Sequence, residues 1–132
     1  MNRAFLYVCG VLYLGYGLWV LLSPTTSLAY LGVDFGIVNA MSDLRGSHGG
    51  INVAMGLFLL WSAGNKAWFR YGLWLVFLMN IGYFGGRVFA LISDGPPTGI
   101  VPLVMLLEVV LFVTAFVFAR RANSHSGALH WR

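Results

Sequence analysis

Charge is what this sequence has least of. Only 9% of its 132 residues are Asp, Glu, Lys or Arg. A soluble domain carries roughly 25%, because it must cover itself in water. With 59% hydrophobic residues and a mean hydropathy of +0.80, the chain is built to face lipid. Cysteine is nearly absent too. Cys9 stands alone in an apolar run, which excludes an internal disulfide and a thiolate metal cluster and reads as a small buried hydrophobe. No nucleotide-binding glycine loop and no nucleophile elbow occur. The net charge of +4 does not point to nucleic acid, because the basic residues form no soluble basic face.

What is present is a series of long apolar runs. At roughly 20 residues per crossing, a chain of this length holds four membrane-spanning helices and short connections, with no room for a soluble catalytic domain. The breaks fall at Ser23-Pro24, Gly64-Asn65-Lys66 and Ser93-Asp94-Gly95-Pro96-Pro97. They give spans at about 4–22, 42–63, 71–92 and 100–119, within one transmembrane domain at 1–121. Asn39 and Ser42 are N-cap candidates for the second span. Arg3, the first run and Ser27-Leu28-Ala29 resemble a secretory signal, but the run of 19 residues is long for a signal core. It reads as a retained span. The connection at 25–40 carries Leu28, Tyr30, Leu31, Val33 and Phe35 and suits a segment lying in the interface. Residues 122–132 form a polar tail.

Arg3, Lys66, Arg70, Arg120, Arg121 and Arg132 fall at the N-terminus, the second connection and the tail; the first and third connections hold only Asp34 and Asp94. By the positive-inside rule both chain ends are cytoplasmic. The fold class is therefore all-α: an antiparallel four-helix transmembrane bundle, N-in and C-in.

Several residues are out of place in hydrocarbon: Arg45, His48, Asn52, Asn80, Arg87 and Glu108. A charge near the bilayer centre costs on the order of 2.5–3.5 kcal/mol on insertion scales, so such groups turn inward. At roughly 1.5 Å per residue, most of these lie about 4 to 15 Å below the outer boundary, on three different spans. Arg45, His48 and Asn52 share one helix face, within about 60° of one another. Asn80, Tyr83, Arg87 and Asp94 form a second stripe. Gly46-x-x-x-Gly50-x-x-x-Ala54 and Gly82-x-x-x-Gly86-x-x-x-Ala90 are expected to allow close helix approach.

Two readings of this cluster stand side by side. In one it is an internal network, with Arg87 paired to Glu108, Arg45 paired to Asp43 or Asp94, and His48 and Asn52 filling hydrogen bonds. In the other it is a pocket open to the outer leaflet, in which Arg45, His48, Asn52, Tyr83, Arg87 and Glu108 hold an anionic or strongly polar head group. His48 has no second His or Cys at ligand spacing, so no metal site is expected. Tyr16 lies near the depth of the cluster; the other aromatics, Trp19, Trp61, Trp68 and Trp74 among them, read as interface belt and packing.

Asp43-Leu44-Arg45-Gly46-Ser47-His48-Gly49-Gly50 resembles the D-x-R-x-x-Y-G-G signature of a bacterial four-helix membrane family catalogued as a domain of unknown function, with His48 where that family carries Tyr. Gly86-Arg87 followed by Asp94-Gly95-Pro96 is similar to its G-R…D-G-x-P element, and Glu108 to the L-E-x-x-L of its last span. The spacing also distantly resembles DoxX-type four-helix proteins. The resemblance implies the four-helix fold and a bacterial inner membrane, and no activity.

The leading functional expectation is a non-catalytic binding or accessory protein, without cofactor. It holds a lipid-like or amphipathic molecule, or docks on a larger membrane complex or a second copy of itself. A membrane enzyme acting on a lipid or quinone through His48 and Glu108 is the alternative, and a transport or proton-conducting element the third. The lack of a complete nucleophile–base set weighs against the enzyme. Polar groups confined to one leaflet weigh against a continuous path.

Overall fold

The computed structural model describes residues 3–29 and 38–126, the side chains of 123–126 excepted. Asp34 and the aromatic and apolar residues of 30–37 lie outside the described residues, as do His130, Trp131 and Arg132. The described residues form helices joined by short turns, without strands. It forms two compact units, Asn2–Asn65 and Lys66–Arg132.

The first unit begins with α1, Ala4–Leu22, on the boundaries that the apolar run sets. Pro24 then opens a single helical turn, α2, Pro24–Ser27, as its fixed φ and missing N–H favour. The Ser27 hydroxyl donates back to Ser23 O at 2.9 Å. From Val38 to Gly64 the chain is helical in three pieces: α3, Val38–Leu44; a π-helical segment, Arg45–Gly50; and α4, Ile51–Gly64. Leu44 and Ile51, at the two junctions, both keep right-handed helical angles, so the path is continuous. Helix is already under way at Val38, which puts Asn39 and Ser42 inside it rather than at its cap.

The antiparallel pairing of α1 with α4 rests on glycine. A Cβ on Gly17 would lie 2.6 Å from Val53 N, and one on Gly56 would lie 2.5 Å from Leu14 N. Gly10 faces Leu60, and Gly49 faces Leu21 in the same way. Two glycines seven residues apart on each strand of the pair let the backbones touch, the small-residue packing that membrane helices favour. At the end of the pair Arg3 Nη1 donates to Gly64 O at 3.3 Å. The stripes read from the sequence do not make this contact. Gly46, Gly82 and Gly86 have no atom within 4 Å of an added Cβ, and Gly50 has only Arg45 O at 3.9 Å. The i, i+4 spacing marks candidates; the rotation of each helix selects among them.

The second unit is a helical hairpin of α5, Phe69–Ser93, and α6, Val101–Ser126. Gly95 and Gly99, both at positive φ, shape the turn between them. Aromatic rings form the seam: Trp74 and Phe77 meet Phe116 at centroid distances of 6.2 and 5.4 Å, and Phe84 meets Phe112 at 5.9 Å. Arg120 lies over Phe116 at 5.2 Å. The last helix does not end on Arg120-Arg121 but continues to Ser126.

Large apolar side chains are exposed along the helices of both units, Leu22 and Ile92 at 80% and Phe89 at 72% among them. Surfaces of that kind belong against lipid. Three helices are long and apolar enough to cross a bilayer: α1, α5 and the part of α6 from Val101 to Ala122. The chain is a membrane protein. The expected second span is not among the three, because the π segment leaves α4 with only 14 residues of unbroken α-helix.

Candidate functional site

The Asp43–Gly50 motif is where the helix departs from α geometry. Three glycines and a serine fall in six residues, so little side-chain packing or helix propensity holds the tighter turn. The Ile51 N–H reaches Gly46 O, five residues back. The Ser47 hydroxyl donates to Asp43 O at 2.8 Å, and the Asn52 side-chain amide donates to His48 O at 2.7 Å. Local side chains thus supply donors to carbonyls where the helix changes its bonding pattern. Segments of this kind are rare in helices and recur at functional sites.

Within that segment the basic side chains are unanswered. Arg45 is exposed, His48 is half-buried, and neither makes a side-chain hydrogen bond or ion pair with a described residue. The pairing of Arg45 with Asp43 is not formed within the first unit. Asn52 is 3% exposed and its amide is spent on the backbone, so it props the segment from inside.

The second unit holds the other half of the expected set. Arg87 Nε donates to Glu108 Oε1 at 3.0 Å, joining α5 to α6 one turn beyond the Phe84–Phe112 contact. Glu108 is 6% exposed, and its Oε2 is buried without a hydrogen-bond partner among the described residues. Tyr83 is half-buried, and its hydroxyl has no partner among the described residues. Asn80 is buried, and its amide donates to Val76 O at 2.7 Å on its own helix. Asp94 lies just past the end of α5, exposed, with its N–H on Ala90 O.

Sequence reasoning missed the π segment. Its signal was the run Gly46, Ser47, Gly49, Gly50 with a hydrogen-bonding Asn two residues on. It also missed the orphaned Glu108 oxygen, which depends on the rotamer of its partner and leaves no trace in the sequence. Among the described residues no three His, Cys, Asp or Glu side chains converge as metal ligands would.

The fold and these sites define a small helical membrane protein with basic side chains on a π-helical segment and an ion pair in a second helical unit. A family model, Domain of unknown function (DUF4345), matches residues 1–119, and the chain belongs to that family. Neither the curated proteins nor the solved structures compared with it contain a significant match.

Proposed function

We propose that the protein crosses a bacterial inner membrane four times, with both ends cytoplasmic, and binds the anionic or strongly polar head of a lipid-like molecule without transforming it. Arg45 and His48 make the contact, and Asn52 holds the segment that presents them. The observation that carries this is their want of a side-chain partner among the described residues of the first unit, on a glycine-rich segment that leads into the apolar helix α4. A guanidinium in a membrane helix costs free energy unless something opposite answers it. An anionic oxygen does so with charge-assisted hydrogen bonds. Tyr83, Arg87 and Glu108 form a second polar group in the other unit, available to the same class of molecule.

Four crossings are supported by the way 49–64 runs beside α1 for most of its length, from Gly49 against Leu21 to Leu60 against Gly10. A binding rather than catalytic role is favoured because neither polar group pairs a nucleophile with a base.

The test is native mass spectrometry of the full chain extracted with its lipids. Wild type is expected to retain one more head-group-bearing adduct than Arg45→Gln, with helicity by circular dichroism unchanged in both. The same number of adducts on a folded Arg45→Gln variant would overturn the assignment.

A further inference from the structure

The Arg87–Glu108 pair is only half made. A guanidinium offers five N–H donors and a carboxylate two oxygens. Here one bond joins them, Nε to Oε1 at 3.0 Å. Oε2 is buried without a partner, and the terminal N–H groups of Arg87 have none among the described residues. Buried acceptors are so regularly satisfied in native structures that an orphaned carboxylate oxygen calls for an occupant. The two ends differ in access: the Glu108 side chain is 8% exposed and the Arg87 side chain 27%.

Position limits what the occupant is. At 25 residues α5 is about 37 Å long, against about 30 Å of hydrocarbon, so its ends reach the head-group region. Arg87 is six residues from Ser93, about 9 Å from the helix end, and so only about 5 to 6 Å inside the hydrocarbon edge. Nearby Phe89, Leu91 and Leu107 are exposed, as lipid-facing side chains are.

We infer that this pair receives the head of a zwitterionic aminophospholipid, its phosphate on the terminal N–H groups of Arg87 and its primary ammonium on Glu108 Oε2. The ion pair is neutral, and so is the head; joined head to tail, every charge gains an opposite neighbour and the orphaned oxygen gains a donor. A wholly anionic head would leave Oε2 facing another oxygen. A lone hydroxyl would fill Oε2 and leave the guanidinium unanswered. A trimethylammonium head has the charges but no N–H to donate. This site lies in the second unit and does not depend on the Arg45–His48 reading.

The experiment uses the full chain in detergent, equilibrated with lipids of identical acyl chains and read by native mass spectrometry. Phosphatidylethanolamine is expected to bind roughly tenfold better than phosphatidylcholine, the ratio that about one charge-assisted hydrogen bond carries. Affinity should fall as N–H groups are removed along the mono-, di- and trimethylated heads, a series that needs only wild-type protein. Glu108→Gln should bring the ratio close to one, and Arg87→Gln should weaken both lipids. Equal binding along the methylation series, a preference for phosphatidylglycerol or an unchanged ratio in Glu108→Gln would each overturn the inference.

Discussion

Arg87 and Glu108 could be paired on the sequence alone, because two charges at matching depth on consecutive antiparallel helices have few other neighbours. The structure makes that pair at 3.0 Å, in register with the aromatic seam of α5 and α6. What could not be read was its incompleteness, or that Asn52 spends its amide on His48 O, since both depend on rotamers and local backbone. The pair has a consequence for stability. Glu108→Leu leaves Arg87 without its counter-charge and should cost about 3 kcal/mol, the low end for a broken buried pair because Arg87 is partly exposed. The double variant Arg87→Leu/Glu108→Leu removes both charges and should recover most of that loss. Melting in detergent measures it, and losses that simply add from the two single variants would mean that the side chains do not stabilise one another.

Helix identity was legible wherever apolar length alone decides it: α1 follows the first run residue for residue, and α5 and α6 begin within two residues of the expected starts. Packing faces were not. Gly46 and Gly50 have the spacing of a contact stripe, but Gly49 and Gly56 make the contact, together with Gly10 and Gly17. A wider turn between residues 45 and 50 changes which face is carried forward, and a search based on 3.6 residues per turn cannot follow that change. Gly17→Ala is therefore expected to lose about 1–3 kcal/mol through overpacking against the 52–53 backbone. Gly15→Ala, on the same helix with open space around it, should change stability by less than about 1 kcal/mol and in the favourable direction. Comparable losses at both positions in thermal melts would remove the glycine contact as the basis of this pairing. The π segment has its own test. Deleting Gly46, which has open space where a side chain would stand, should let 45–50 close as α-helix with helicity retained, while turning Arg45 relative to α4 and releasing the head group held there. A deletion variant that keeps the wild-type number of adducts would show that presentation by the π segment is dispensable.

The proposal of four crossings belongs to the scale of the whole chain. Suppose that only α1, α5 and α6 cross, and that 23–68 lies on one side. Arg3 would then sit across the bilayer from Gly64, yet its guanidinium donates to that carbonyl at 3.3 Å. Lys66 and Arg70 would also stand on the opposite face from Arg3, splitting the basic residues between two sides. With 38–64 as a fourth crossing, π segment included, the Arg3–Gly64 contact lies at one membrane face. Every Lys and Arg of the connections and ends then shares that face, as the positive-inside rule requires. On that proposal the irregular turn is tolerable in a bilayer because Asn52 supplies a donor to His48 O and Ser47 one to Asp43 O just before it, as membrane helices with interrupted bonding must arrange. Single cysteines at Ser42, Lys66 and Ser93 test this in intact cells with a membrane-impermeant maleimide. Cys9, 1% exposed, is expected to stay silent. Ser42 and Ser93 positions should label from outside and the Lys66 position only after the cells are opened. Labelling of the Ser42 and Lys66 positions from the same side would reduce the chain to three crossings and set its two ends on opposite faces.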